Sequence, residues 1–500
     1  MLRKAGYACF NHNKTDYNIA GRPDADCWDE TPLTENGDVD FEKIKQKQPF
    51  FAVINLTESH ESRVHGSVEN TQHDPDRVRL APYHPDLPEI RKNHAKYQDA
   101  VRRMDGLVGK ILDALASAGL ETDTFVIYNS DHGGVLPRSK RFLLDTGIHC
   151  PLIVRIPKKF AHFYPAEKPG QKVERIVSFI DMPKTWLALA GAKIPESMQG
   201  HVFLGSAKEA EREYAVAYRG RMDERCDSAR AVRDKRFLYV RNFMPYVPRG
   251  QRLDYLWRAA AARAWEAHHK AGKTDSISGR FFQRKPVEEL YDTWQDPYSV
   301  HNLATDPASK EVLSQMRRRL REWQREHFDA GLLPEAEMVR RSAAHGTTIY
   351  EMVRNEPLYP LQRLLDASEI ALRHSPDDRE KLVSMLSAEE SGVRYWGVVG
   401  LFLLGEQAGE NKQQLRDALV DPDHEVAAMA AWSLYNLGEK QVARKQLCRL
   451  LEEDSYASLK IANMIEWMGD DYEHYRDALL ACQSPLQSGY LEKIKRRSRK

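Results

Sequence analysis

Asp131-His132-Gly133-Gly134 follows directly on the apolar run that ends at Tyr128. In an open α/β sheet the carboxyl ends of the strands face the ligand crevice, so a carboxylate there is placed to hold a metal ion. Aspartate oxygen suits Ca2+ or Mg2+, and a neighbouring histidine can ligate or orient. Taken alone, Asp131 reads more readily as a turn residue capping the next element. His60 stands four residues beyond a second apolar run, in Glu58-Ser-His-Glu61. A histidine just past a strand can donate a proton near neutral pH, or be a solvated loop residue in a His-rich stretch. Lys140, nine residues after Asp131, and Lys14, within Asn13-Lys-Thr-Asp-Tyr-Asn18, are candidate anion clamps. A lone lysine, taken by itself, is ordinarily a solvated surface charge.

Such residues need elements to position them. Pro49 to Leu56 (PFFAVINL) is a short run of buried-strand type, and some forty residues rich in His and Pro follow it. A loop that long inside a compact domain is usually functional or wrongly assigned. Tyr97, Val101, Met104, Val108, Ile111, Leu112 and Leu115 then fall on one helical face, with Gly119 placed to stop the helix. Thr124–Tyr128 and Pro151–Ile156 are continuous apolar runs, as expected of parallel strands buried on both faces. The alternation of strands with a helix predicts an α/β sheet. Ala229 to Arg241 reads as two strands about a turn near Asp234-Lys235, Glu288 to Asp292 as another, and Val312 to Phe328 as a basic helix. Together these predict a smaller α+β unit.

The last third has a different period. Leu404-Gly405 recurs as Leu437-Gly438 after 33 residues and as Met468-Gly469 after a further 31; Leu386, Leu419 and Leu451 lie 33 and 32 apart. Helix pairs at this spacing cannot bury their apolar faces alone and must stack, which predicts an all-α solenoid resembling HEAT-like repeats. The expected organisation is therefore an α/β core at 1–210, an α+β subdomain at 211–330, a linker at 331–360, helical repeats at 361–485 and a basic tail at 486–500.

Lys+Arg 74 against Asp+Glu 73 leaves no net charge to argue from, which speaks against a dedicated nucleic-acid binder. The longest apolar stretch, Gly397 to Gly405, is half of what a bilayer span requires. The opening MLRKAGYACFNHNK has no apolar core and is not expected to act as a secretory signal. Six cysteines, at 9, 27, 150, 226, 448 and 482, contain no CxxC pair, so neither a cysteine zinc site nor a dense disulfide scaffold is expected.

The order strand–His, amphipathic helix, strand–Asp-His-Gly, Lys, strand PLIVRIP resembles the sulfatase family of the alkaline-phosphatase-like superfamily. PFFAVINLTESHES, the stretch from YQDAVRRMDG to FVIYNSDHGG, SKRFLLDTGIHCPLIVRIP, VSFIDMPKTWLALAGAKIPESMQGHVFLG and VEELYDTWQDPYSVHNLA carry the likeness from residue 2 to about 328. LRKAGY with NKTDYN is most similar to the branch containing heparan N-sulfatase and its bacterial relatives. The resemblance implies a mainly parallel sheet with a small antiparallel subdomain, a sulfated-carbohydrate substrate, and Ca2+, with Mg2+ as the alternative. It implies Asp131 and His132 as metal ligands, and Lys140 and Lys14 as contacts to the sulfate. His60 is implied as the acid that protonates the leaving group, and Asp145 fits an acidic position after the lysine. Asn13 replaces a glycine of the family's pattern, and Asp16 stands where many members have histidine.

Family enzymes use a Cys or Ser in C/S-x-P-S/A-R, oxidised to formylglycine, as nucleophile, together with a pair of Asp that ends the first strand. Cys9 opens CFNHN, Cys27 CWDET and Cys150 CPLIV, so none of these opens that motif. The expectation is a sequence truncated ahead of LRKAGY and inactive by itself. A phosphodiesterase or phosphonate hydrolase of the same superfamily is the alternative enzyme. The alternative outside catalysis is a scaffolding protein whose repeats hold a protein partner.

Overall fold

The computed structural model describes residues 1–15, 17, 26–453, 456–483 and 488–498. β1 (Ala8–His12) and β2 (Phe50–Ile54) pair in parallel, in register from Ala8 opposite Phe50 to His12 opposite Ile54. Phe10, Val39, Phe41 and Ile44 bury beneath them against Leu115, Ala118 and Leu120 at the end of the helix Pro88–Ser117. That helix begins on Pro88 and gives way at Gly119, whose φ of 73° lies in the left-handed region glycine tolerates.

β3 (Val126–Asn129) and β4 (Leu152–Arg155) were expected to be parallel and covered on both faces. They pair antiparallel with each other instead, and Ile153 is 63% exposed. The chain between them contains only one helical turn, Asp145–Ile148. A parallel return needs a crossover helix lying across the sheet, and a single turn cannot supply one. Parallel pairing among the described strands is confined to β1 and β2.

The second unit is an antiparallel sheet in the order β5 (Ala215–Arg219), β6 (Ala229–Arg233), β7 (Phe237–Asn242), β8 (Glu288–Asp292). Its period of two sorts the side chains cleanly. Val232, Tyr239 and Leu290 meet Leu313, Met316 and Leu320 of the helix Lys310–Glu326. Ala229, Ala231, Leu238, Val240 and Tyr291 face the other way and share a core with Tyr83, Ile90 and Leu144 of the first unit. Both faces are therefore covered.

Beyond residue 292 the described residues contain no strand. Helices Ser391–Leu404, His424–Asn436 and Ser458–Met468 stop at or just before Gly405, Gly438 and Gly469, all at positive φ. The recurrent Leu-Gly and Met-Gly pairs thus mark equivalent helix ends. The stretch 331–360, expected as a linker, forms helices Glu335–Ala344 and Ile349–Met352. Its Leu332, Leu333, Met352, Val353 and Tyr359 enter the helical core. The basic tail is likewise a helix, Ser488–Ser498, because Leu491 and Ile494 fall on one face and bury.

The helical region is joined to the sheet unit. Phe243, Met244, Tyr246 and Val247, just after β7, lie in the helical core. Arg225 is 1% exposed and donates to Asn463 Oδ1 at 2.9 Å and to both Glu466 oxygens at 2.6 and 2.8 Å.

Candidate active site

His60 caps the short turn Glu61–Val64 beyond β2. Its Nδ1 accepts from the Ser62 backbone N–H at 3.3 Å and lies 2.9 Å from Ser62 Oγ. A ring nitrogen that accepts from a backbone N–H carries no proton, so this bond assigns the proton of the neutral ring to Nε2. The His60 pKa sits below its ordinary value, first through burial and then through the Lys140 cation. Lys14 pulls the same way, while Glu61 and Asp131 oppose. His60, Lys140, Lys14 and Asp131 therefore occupy one electrostatic neighbourhood.

Glu61, next in sequence, is fully buried. Its carboxylate receives Arg141 at 2.8 and 2.9 Å and stands 3.5 Å from the Lys140 ammonium. A buried carboxylate shared by two cations fixes both, so Glu61 sets where Lys140 stands relative to His60. Lys14 is placed by the exits of β1 and β2. Asn55 Nδ2 donates to Asn11 Oδ1 at 3.1 Å, and Asn11 Nδ2 donates to the Lys14 carbonyl at 2.8 Å.

The loop after β3 is held by backbone contact. Gly133 N–H donates to the Gly147 carbonyl at 2.9 Å and Gly134 N–H to the Thr146 carbonyl at 3.1 Å. A Cβ at Gly133 would stand 2.1 Å from Thr146 O, so only glycine allows this approach. His132 Nδ1 lies 2.8 Å from the Gly133 carbonyl, which can only accept; the neutral ring then presents an unprotonated Nε2, 3.6 Å from Asp131. The Asp131 side chain is 78% exposed.

Two donors do not make a shell. Ca2+ takes six to eight oxygens and Mg2+ six ligands, and among the described residues no group of three or more His, Cys, Asp or Glu gathers. The described residues by themselves therefore do not fit a complete site for either ion.

Other expected positions fall elsewhere. Asp145 is buried at the start of its helical turn and bonds Arg233 of β6 at 2.8 Å and His149 at 3.2 Å, which ties the two sheet units together. Asp16 lies outside the described residues. Cys150 feels the Asp131 charge, and burial first, then that charge, push its thiol up. It is therefore poorly suited to act as a thiolate.

Sequence reasoning missed four residues. Glu61 and Arg141 were readable only as neighbours of singled-out residues. Tyr255 and Arg258 come from the α+β unit, more than a hundred residues from Lys140. The Tyr255 ring centre lies 6.2 Å from that of His60 and 4.7 Å from that of His65, with the Arg141 and Arg258 guanidiniums 5.9 and 5.1 Å from it. Nothing in the local sequence around Tyr255 signals this.

Residues 6–192 match the sulfatase family model. An ulvan-active sulfatase of Formosa agariphila is 33% identical over 381 residues, 68% of this chain and 61% of that protein. Human N-sulphoglucosamine sulphohydrolase is 30% identical over 274 residues, 50% of this chain and 51% of that protein. The chain thus spans between half and two thirds of these relatives. Among solved structures, a phosphonate monoester hydrolase from Silicibacter pomeroyi is similar at a TM-score of 0.39 and 22% identity, covering 65% of this chain and 67% of that one. Residues 6–192 thus carry the likeness to the sulfatase family, and the similarity to the ulvan-active sulfatase extends over 68% of the chain.

Proposed function

We propose that this protein is a hydrolase of sulfate esters or N-sulfates on sulfated carbohydrate, with His60 as the acid that protonates the leaving atom. The observation that carries the reading is that Lys140 stands 3.5 Å from the carboxylate of Glu61, the residue next to His60, with Lys14 and Asp131 in the same electrostatic neighbourhood. In such a hydrolysis the sulfuryl group passes to an oxygen nucleophile, ultimately water. The electron pair of the broken S–O or S–N bond stays on the sugar oxygen or nitrogen, and a proton from His60 Nε2 neutralises that charge. In the absence of substrate, Lys140 and Lys14 disfavour the charged imidazole. A bound sulfate offsets both lysines and so favours loading the ring with its second proton. The same lysines stabilise charge spread over the sulfate oxygens in the transition state. Glu61 and the Asn11–Asn55 bridge hold these cations in place before substrate arrives.

Asp131 and unprotonated His132 Nε2 would be the chain's contribution to a Ca2+ site, with further ligands required. The names of the relatives support sulfate over phosphate. We propose further that the 500 residues alone do not turn over substrate, because neither a cysteine nor a serine opens the nucleophile motif and the Cys150 thiol is pushed up. The reading of the helical region as HEAT-like repeats, with a surface for a protein partner, rests on the recurrent glycine stops.

The test is an assay of the 500-residue chain on an aryl sulfate and an aryl phosphonate with added Ca2+, beside a version extended upstream by a segment bearing C-x-P-S/A-R. Sulfate turnover by the extended version only, lost with His60→Ala, is expected. Equal turnover by both versions would refute the inactivity, and phosphonate turnover without sulfate turnover would refute the substrate class.

A further inference from the structure

A second polar cavity, of about 490 Å3, opens between the antiparallel sheet, the turn Ser278–Phe282 and the loop after β8. None of His60, Glu61, Asp131, His132, Lys140, Arg141 or Lys14 lines it. Four arginines do: Arg138, Arg249, Arg280 and Arg284. Arg249 is paired with the buried Glu289. Arg138 is 8% exposed, and its donors go to the carbonyls of Tyr298 and Ser299, at 2.8 and 2.6 Å, rather than to a carboxylate. Its guanidinium carbon lies 4.2 Å from the centre of the Tyr83 ring, which partly offsets the charge without neutralising it.

The imbalance extends behind the cavity wall. Arg219 and Lys285, both buried, share the single carboxylate of Asp227. Four cations in this interior therefore divide two carboxylates, Asp227 and Glu289. Burial is the first cause that lowers the pKa of Arg138, Arg219 and Lys285, so each of these charges is held against a desolvation cost. Ser299 points the same way. It is 1% exposed, lines the cavity, and its Oγ has no hydrogen-bond partner; its φ of 52° is unusual for a residue with a side chain. A buried hydroxyl without a partner costs free energy that a ligand oxygen would recover.

We propose that this cavity binds a small molecule bearing a tetrahedral oxyanion, a sulfate or phosphate group, independently of the His60 crevice. Arg280 and Arg284 are exposed at its mouth and would meet the anion first. Arg138 supplies the uncompensated charge within, and Ser299 Oγ a donor. The volume lies within the range that holds a small organic ligand, and the Tyr83, Phe281 and Tyr291 rings offer apolar surface to the body of a sugar.

The test is calorimetric titration of the full chain at fixed ionic strength with inorganic sulfate, inorganic phosphate and glucosamine 6-sulfate, chloride being the control. It is run in a Lys140→Gln background that weakens the first crevice. One oxyanion should still bind there, and Arg280→Gln with Arg284→Gln should weaken it by about tenfold or more, as expected for lost charge-assisted hydrogen bonds. Ser299→Ala removes a hydroxyl that has no partner in the fold, so it should leave the chain folded and weaken binding severalfold. Tighter binding of the sugar than of inorganic sulfate identifies a sugar sulfate as the ligand; equal binding identifies the free ion. Absence of oxyanion binding in this background, or binding indifferent to the arginine substitutions, overturns the proposal.

Discussion

The region that matches the sulfatase model and the helical region are built to opposite standards of packing. β2 is half-buried at every position, and β3 and β4 have no fully buried residue. In the helix His424–Asn436 ten consecutive residues, Glu425 to Leu434, are buried. Trp432 packs there with ring centres 4.6 Å from Phe402, 5.5 Å from Tyr246 and 5.7 Å from Trp467. Stability is not uniform across a fold, and regions with few buried apolar contacts open first. The candidate chemistry sits in the thinly packed part and is held by ionic and backbone contacts; the helical part is held by volume.

The difference in packing is expected to be largest in the helical core. Trp432→Ala should cost about 3–5 kcal/mol in chemical denaturation, since the cavity it leaves is walled by other rings. Near-equal loss from truncating the half-buried Val53 of β2 would remove the contrast. In the sulfatase-like region Glu61→Gln should cost about 3 kcal/mol, because two cations then share no buried carboxylate. An NMR titration of the same variant should place the His60 pKa lower still, as the one adjacent charge that raises it most is gone. An unmoved His60 would detach Glu61 from the site.

Acid should separate the two parts by sign. Burial first, with help from neighbouring cationic groups, pushes His84 down to about 3 and His94 down to about 4. Both rings stay neutral in the fold while the unfolded chain protonates near 6.5. Their stabilisation is complete above that value and is lost as pH falls from about 6.5 towards 4, at about 1.4 kcal/mol per pH unit for each ring. Asp423, in the helical region, does the reverse. Burial, then Glu337 and Glu425, hold its carboxyl well above the ordinary carboxylate range. The folded state keeps a proton that the unfolded state has released, so its stability falls as pH climbs from near 4 towards neutrality. Residue-resolved hydrogen exchange at pH 7 and pH 5 should show protection falling around residues 84–94 and rising around 423–434. Parallel loss in both would refute the assignment. The smallest effect belongs to the capping box at Thr348 and Glu351, where Thr348→Ala should cost about 1 kcal/mol in the same denaturation.

Much of this was legible in the residues. The β6–β7 hairpin, the strand at 288–292, the long amphipathic helix and the recurrent glycine stops all announce themselves through short-range periodicity. β1 and β5 were missed. Ala8–His12 and Ala215–Arg219 are mixed runs whose partners, Phe50–Ile54 and Ala229–Arg233, lie elsewhere in the chain. The direction of β3 and β4 was also hidden, because an apolar run of four residues reads alike in either pairing. At the site, His60, Lys140 and Asp131 were marked by their place after strands and by resemblance. Tyr255 and Arg141 were not, since ring packing across two units leaves no local pattern.

Arg225 bears on how this molecule can be handled. A protein engineer wanting the sulfatase part alone would cut near residue 360, where the sequence changes character. That cut would take Asn463 and Glu466 away from Arg225 and strip the cover from Phe243, Met244, Tyr246 and Val247. The shortened chain would be an aggregating remnant rather than a minimal module, so the helices must travel with the sheets in any expression, fusion or transplantation of this protein.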